Sequence, residues 1–224
     1  MAAHGIVASV TILGAIIKPD RALCWTDSET YQSGEPTGHS PKLTINALAR
    51  VVLLGTGFSA LLRPGEEAVL RGTSLDEIAI AMCSALRKRA GQLAHRLTRI
   101  DQHWLASQMA VAVGFSEEYG RMLGYAFSGT NFFEPIVTVR IMRPEPEGGP
   151  VEPQDMPELV AYARHQIARV REECPAASGG TLQVAELRPT QVTCWAVPDF
   201  DVGDVHMIGV EAGHDQQLRK SVPV

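Results

Sequence analysis

The sequence has little of what marks a nucleic-acid-binding or metal-binding protein. Its 224 residues carry 20 Lys and Arg against 25 Asp and Glu, so the net charge is −5. An acidic chain lacks the basic surface that nucleic acids attract, so no nucleic-acid partner is predicted. The four cysteines stand alone, without the paired Cys or Cys–His spacing typical of zinc sites. We therefore predict no metal and no cofactor.

A long hydrophobic run is also missing. Residues 2–17 contain no Lys, Arg, Asp or Glu, but Gly5 and Gly14 interrupt the run. It is shorter than the roughly 20 apolar residues of a membrane span, and it lacks the positive start of a secretory signal. Its β-branched residues favour a buried strand instead. Because unpaired cysteines are typical of a reducing compartment, we predict a cytoplasmic protein with no membrane partner.

Two apolar strands joined by a tight turn organise the first part of the chain. Residues 11–17 are uncharged and mostly β-branched, residues 18–21 have the composition of a turn, and residues 22–28 form the returning strand. Residues 29–41 are rich in Ser, Gly, Pro and Thr, which predicts a loop. Residues 42–45 and 50–54 predict a second hairpin, which ends at Gly55-Thr56-Gly57.

Helices and further strands follow in alternation. Ser74 and Glu77 form a capping box at the start of a helix predicted over 74–97, and a second amphipathic helix is predicted over 158–173. Residues 58–62 could begin another helix, which Pro64-Gly65 would end early. The remaining strands are predicted over 109–115, 121–127, 135–142, 181–187, 190–197 and 205–210. This order is typical of one α+β domain over residues 1–210, followed by a polar tail over 211–224.

A Thr, an Asp and a Lys follow one another in the first two hairpins. Thr11 heads the first strand, Asp27 ends the second sixteen positions later, and Lys42 comes fifteen positions after that. This arrangement resembles the amino end of proteasome β-type and HslV-type subunits, which are N-terminal nucleophile (Ntn) hydrolases. The first spacing is the usual one in that family, and the second is about one residue short. The resemblance implies a four-layer αββα sandwich of two mainly antiparallel sheets between helices.

The resemblance also implies a function and a set of site residues. Thr11 would be the nucleophile of a threonine-type peptidase or amide hydrolase, with Asp27 and Lys42 as its charge partners. Ser178, in Ser178-Gly179-Gly180, would be a supporting hydroxyl. Gly57 would leave room for a substrate strand and donate its N–H to an oxyanion. Such proteins assemble, so we expect a homo-oligomer or related subunits as partners and a peptide or amide as substrate.

The implied chemistry needs a cut in the chain. A threonine hydroxyl is a weak nucleophile until a base removes its proton. In this superfamily the base is the threonine's own α-amine, which has a reference pKa of about 7.7–8.0. That amine is free only after cleavage before Thr11, so residues 1–10 are either a propeptide or an extension of the strand. A nearby Lys42 would favour the neutral amine, and Asp27 would orient Lys42.

Three departures from the family pattern favour an alternative function. Val10 precedes Thr11, where active members usually have Gly, and the family's Gly-Ser-Gly turn after the middle strands is not evident. Pro175 stands where the family has an acidic residue. Three other acids could take that role: Glu172, Glu173 or Asp155. The alternative to a hydrolase is therefore a catalytically inactive scaffold or ring-forming subunit of the same fold, and an unrelated α+β binding protein is a third reading.

Overall fold

The computed structural model describes residues 11–32, 35–57, 59–94, 108–145, 152–173, 175, 177, 179–201, 208–211 and 219–220. Residues 1–10 and Ser178 therefore lie outside the described residues. In chain order the strands are β1 (Leu13–Lys18), β2 (Arg21–Thr26), β3 (Glu29–Gln32), β4 (Glu35–His39), β5 (Thr44–Asn46), β6 (Val51–Thr56), β7 (Met109–Ser116), β8 (Arg121–Ser128), β9 (Ile136–Thr138), β10 (Arg140–Arg143), β11 (Leu182–Arg188), β12 (Gln191–Val197), β13 (Ile208–Glu211) and β14 (Arg219–Lys220).

These strands form two main antiparallel sheets and one small one. The first has seven strands in the order β10-β1-β2-β11-β12-β13-β14, and the second has five in the order β5-β6-β7-β8-β9. Strands β3 and β4 pair only with each other. The predicted β1–β2 hairpin is confirmed, with Leu13 opposite Thr26 and Lys18 opposite Arg21. Strand β14 pairs with β13, so strand pairing extends past residue 210 into the segment predicted as a polar tail.

Three α-helices lie in the described part of the chain. They are α1 (Ser59–Arg71), α2 (Leu75–Ala94) and α3 (Met156–Glu173). The start of α2 is capped as predicted, because the Ser74 hydroxyl accepts the N–H of Glu77 at 3.3 Å. The Glu77 carboxylate reaches one residue further back than a capping box requires and accepts the N–H of Thr73 at 2.9 Å. No helix among the described residues is long and apolar enough to cross a membrane.

Three apolar clusters show how the layers pack. Buried residues of α1 and α2, such as Leu61 and Met82, pack against one face of the five-stranded sheet. Apolar residues of the two sheets, such as Leu13 and Val111, pack between them. Residues of α3, such as Ile167, pack on the outer face of the seven-stranded sheet. The prediction of an α+β protein with antiparallel sheets is confirmed, and burial of these three clusters supplies most of the drive to fold.

Helix α1 corrects the prediction that Pro64-Gly65 ends this segment early. The helix continues to Arg71 with Pro64 inside it. Proline has no N–H, so the carbonyl of Ala60 loses its helical partner. The Arg89 side chain on α2 replaces that partner, because its Nε donates to the Ala60 oxygen at 2.9 Å. A contact from the neighbouring helix therefore offsets the hydrogen bond that the proline removes.

The segment predicted as a loop over residues 29–41 contains the β3–β4 hairpin. Its two strands are linked by threonine hydroxyls: Thr30 donates to the Gly38 carbonyl at 3.0 Å, and Thr37 donates to the Thr30 carbonyl at 3.2 Å. The register shifts between Thr30 and Tyr31. The prediction was wrong because β3 and β4 pair only with each other and consist mainly of polar residues, so the apolar alternation that marks a half-buried strand is missing.

The run predicted as one strand over residues 135–142 is two strands in different sheets. Strand β9 pairs with β8 in the five-stranded sheet, and β10 pairs with β1 in the seven-stranded sheet. Between them, the Thr138 hydroxyl donates to the Arg140 carbonyl at 2.7 Å and accepts the Arg140 N–H at 3.3 Å. Alternating apolar residues predicted the extended backbone, but not the point where the chain passes from one sheet to the other.

Candidate active site

The structure brings Thr11, Asp27 and Lys42 together. The Lys42 ammonium donates to the Thr11 hydroxyl oxygen at 3.0 Å and to the Asp27 carboxylate at 2.9 Å. Lys42 therefore lies between the hydroxyl and the carboxylate. The Asp27 side chain is completely buried and the Lys42 side chain is 13% exposed. An ion pair with so little solvent around it is screened much less than one at the surface.

Asp27 is held from several sides. One carboxylate oxygen accepts the N–H of Ile12 at 3.0 Å, and the other accepts the N–H of Glu29 at 3.2 Å in addition to the Lys42 ammonium. Burial raises the pKa of the Asp27 carboxyl above its ordinary value, while the Lys42 charge and these hydrogen bonds oppose the rise. The backbone donors fix the carboxylate, and the carboxylate in turn fixes the ammonium.

Strand pairing explains why Thr11 and Asp27 meet. Leu13 is opposite Thr26, so Ile12 and Asp27 come next to each other at the end of the β1–β2 hairpin. Two further hydrogen bonds join these strand ends: the Thr26 hydroxyl donates to the Ile12 carbonyl at 2.8 Å, and the Asp27 N–H donates to the same carbonyl at 3.4 Å. The antiparallel register thus brings a residue from before β1 beside a residue from after β2.

Lys42 is positioned by Gln183, a residue that the sequence analysis missed. The Gln183 side-chain oxygen accepts the N–H of Lys42 at 2.9 Å and that of Leu43 at 3.3 Å, and its amide nitrogen donates to the Ser40 carbonyl at 3.4 Å. Gln183 lies on β11 directly opposite Thr26 of β2. A glutamine in a strand gives no local signal of such a role, because the contact spans about 140 residues of chain.

Glu29 is a second residue that the sequence analysis missed. It is almost fully buried, at 3% exposure, and its carboxylate accepts the N–H of Gly179 at 3.1 Å. The neighbouring Ser28 binds the same segment, because its hydroxyl accepts the N–H of Thr181 at 3.0 Å and lies 3.3 Å from His39 Nδ1. The segment that contains Gly179 is therefore docked against the end of β2, directly beside Asp27.

The acids named as substitutes at Pro175 have other partners. The Asp155 carboxylate accepts the N–H of Glu158 at the start of α3, and Glu172 pairs with Arg169 at 2.6 Å. The side chain of Glu173 and the whole of Ser178 lie outside what the structure describes. Among the described residues, Glu29 is the acid that contacts the backbone of the Ser-Gly-Gly segment.

Gly57 lies at the end of β6 on the other main sheet. Its φ angle is +122°, a value that favours glycine. A Cβ atom at this position would lie 1.5 Å from the side-chain oxygen of Gln108, so a larger residue would also displace that side chain. These two constraints account for the glycine without an oxyanion role, and that role stays a prediction.

The described residues hold no group of three or more His, Cys, Asp or Glu side chains suited to binding a metal ion.

Comparison of the sequence with protein-family models gives no match, and comparison with curated proteins gives none either. The chemical reading of this site therefore rests on its own geometry.

Proposed function

We propose that this protein is a divergent Ntn hydrolase of the proteasome β-type, in which Thr11 is the nucleophile for a peptide or other amide bond. One observation carries the proposal: a lysine ammonium lies within hydrogen-bond distance of both the Thr11 hydroxyl and a buried aspartate. These residue types in this chain order are the ones that the resemblance implies. The two packed sheets with helices outside are compatible with its αββα sandwich.

The first step of this function is cleavage of the chain before Thr11. Attack of the Thr11 hydroxyl on the Val10 carbonyl breaks the Val10–Thr11 amide and forms an ester. Water then hydrolyses the ester, which releases residues 1–10 as an acid and leaves Thr11 with a free amine and a free hydroxyl. The amine can then serve as the general base for the hydroxyl in later turnovers.

The charges near Thr11 fit this role. The Lys42 ammonium donates to the Thr11 oxygen, which leaves the hydroxyl proton available to a base. Its positive charge close to the new amine would lower the pKa of that amine and raise the neutral, proton-accepting fraction near pH 7. Asp27 holds the ammonium in place and offsets its charge.

The test is the intact mass of the purified, assembled protein. We expect a species that begins at Thr11, and we expect Thr11→Ala to remain full length because it has no hydroxyl. Thr11→Ser should still be cut. Thr30→Ala is the matched control, because among the described residues the Thr30 hydroxyl bonds only within the β3–β4 hairpin. This variant should be processed like the wild type.

A wild-type chain that stays full length in its assembled state would overturn the hydrolase proposal. The inactive scaffold would then be the better reading, since an uncut Thr11 has no amine to act as base. If the chain is cut, a panel of peptide amides should show turnover that rises as the amine loses its proton. Because the Lys42 charge lowers the pKa of that amine, the rise should fall below the reference range of about 7.7–8.0.

A further inference from the structure

A second cleft lies away from the candidate site, on the outer face of the seven-stranded sheet beside the start of α3. Its cavity is about 210 Å³. Lys18 and Arg21, which form the last pair of the β1–β2 hairpin, lie at this cleft, whereas Thr11 and Asp27 lie at the other end of the same hairpin. At about 3.3 Å per residue, the two ends are roughly 20 Å apart.

The floor of the cleft is apolar and lies beside the first turn of α3. Leu23, Met156 and Trp195 are only partly buried there, and each packs against the core beneath α3. Ile16 adds a buried aliphatic surface. The Trp195 indole N–H has no hydrogen-bond partner among the described residues. The floor therefore offers aromatic and aliphatic surface with one donor still available.

The charges in the cleft are unequally satisfied. Of the two acids, Glu186 has a charged partner, Arg188 at 3.0 Å, and Asp155 accepts the neutral Glu158 N–H at 2.9 Å. Lys18 has only a neutral partner, since its ammonium donates to the Gln154 side-chain oxygen at 3.0 Å. The Arg21 guanidinium, also at the cleft, has no hydrogen bond or ion pair within the described ranges. Because Arg188 compensates Glu186, the Lys18 and Arg21 cations face the single remaining charge of Asp155, so the net charge at the cleft is positive.

We propose that this cleft binds a small organic carboxylate with an apolar body, such as an aromatic or short aliphatic acid. Its carboxylate would pair with Lys18 and with the Arg21 guanidinium, whose planar shape suits a bidentate hydrogen bond. The apolar part of the ligand would pack against Leu23 and Trp195. The cavity is smaller than the roughly 300–1,000 Å³ of sites for drug-sized ligands, which favours a compact acid. This proposal does not depend on Thr11.

The test is titration of the full-length protein with benzoate, followed by NMR of the tryptophan indole N–H signals. The chain has three tryptophans, and the spectrum of Trp195→Phe identifies the signal to follow. We expect benzoate to shift the Trp195 signal with a saturable dependence on concentration. Arg21→Gln should weaken binding by about tenfold, the usual effect of losing a charge-assisted hydrogen bond.

Arg63→Gln is the matched control. Arg63 is an exposed arginine on α1, the helix layer that packs on the five-stranded sheet, so it lies on the opposite side of the protein from the cleft. Benzamide, which has the shape of benzoate without its charge, should bind at least tenfold more weakly. A Trp195 signal that benzoate does not shift saturably would overturn the proposal. Equal affinity for benzamide, or equal weakening by both arginine substitutions, would also overturn it.

Discussion

Asp27 illustrates how single residues build the candidate site. Its carboxylate contacts backbone on both sides of the hairpin end and the ammonium of Lys42, so one side chain joins three separate stretches of chain. A buried carboxylate is costly without such partners. Its position beside the Thr11 hydroxyl therefore needs the surrounding donors, and these are backbone groups that no residue pattern displays.

Glu29 provides a test at the same scale. Glu29→Ala would leave the buried Gly179 N–H without the carboxylate that accepts it, which we expect to lower the free energy of unfolding by about 1–3 kcal/mol. Glu29→Gln keeps an oxygen that can accept the bond, so it should cost less. Urea unfolding followed by circular dichroism measures both.

The control for this test is Glu158→Ala. The Glu158 carboxylate also accepts a backbone N–H, that of Gln154 at 2.8 Å, but it lies at an exposed position where water can replace it. Its loss should cost under about 1 kcal/mol. Equal destabilisation by Glu29→Ala and Glu158→Ala would contradict a structural role for the buried carboxylate.

At the scale of elements, α1 shows that a neighbouring element can override a local stop signal. Pro64 removes one helical hydrogen bond, and the Arg89 guanidinium replaces it by donating to Ala60. In addition, Gly65 faces Met82 and Leu86 of α2, with atoms of both side chains 3.4 Å from where a Cβ would lie. The two helices pack closely where the proline falls, which brings Arg89 within reach.

We expect the effects of Arg89→Met and Pro64→Ala on stability to be coupled. Arg89→Met leaves the Ala60 carbonyl without its side-chain partner and should cost about 1 kcal/mol. In a Pro64→Ala background the helix supplies its own N–H to that carbonyl, so Arg89→Met should cost clearly less. Chemical denaturation of the four proteins of this cycle measures the difference. Lys88→Met, a change at the adjacent residue, is the control and should show no coupling to Pro64→Ala. If the losses of stability from Arg89→Met and Pro64→Ala were simply additive, the explanation would be refuted.

At the scale of the whole molecule, side-chain hydrogen bonds join the outer helices to the sheets. The Asp76 carboxylate at the start of α2 accepts the Tyr125 hydroxyl at 3.1 Å and the Ser116 hydroxyl at 2.7 Å, both on the β7–β8 hairpin. On the other side, Gln166 of α3 accepts the Trp25 indole N–H at 2.7 Å and donates to the Leu13 carbonyl at 3.1 Å. Each outer layer is thus oriented by a satisfied buried or half-buried polar group.

Ionisation of the Tyr125 hydroxyl makes the free energy of unfolding depend on pH in the alkaline range. Burial, together with the neighbouring Asp76 charge, raises the pKa of Tyr125 to about 12. The fold therefore favours the neutral phenol. The stability from this preference is fully present below about pH 10, the usual pKa of an unfolded tyrosine, and is lost as the pH rises towards 12. Tyr125→Phe should show a shallower loss of unfolding free energy over this range.

The titration itself can be read from tyrosinate absorbance after a rapid pH jump. The difference between wild type and Tyr125→Phe should have its midpoint at about pH 12. Asp76→Asn should move that midpoint towards 10, because the negative charge beside the phenol is lost. A wild-type midpoint near 10 would show that burial and Asp76 do not raise the pKa of Tyr125.

Local patterns were sufficient where one face of an element is buried. The β1–β2 hairpin, α2 with its Ser74 cap and α3 were predicted close to their observed bounds, because apolar periodicity and capping residues act over a few positions. The same reasoning failed for the β3–β4 hairpin, whose strands are made mainly of polar residues and pair only with each other. It also failed for α1 beyond Pro64, where a side chain from another helix supplies the missing hydrogen bond.

For the candidate site, the sequence by itself determined the three residue types, their order and their spacing, since Thr11, Asp27 and Lys42 stand next to recognisable strands and turns. Only the tertiary structure decided that the Lys42 ammonium bridges the hydroxyl and the carboxylate, and that Gln183 and Glu29 support them. The physical reason is clearest for the two supporting residues, whose contacts are long-range in sequence. Strand pairing brings together residues about 140 to 150 positions apart, and a hydrogen bond over such a distance leaves no periodic trace in the sequence.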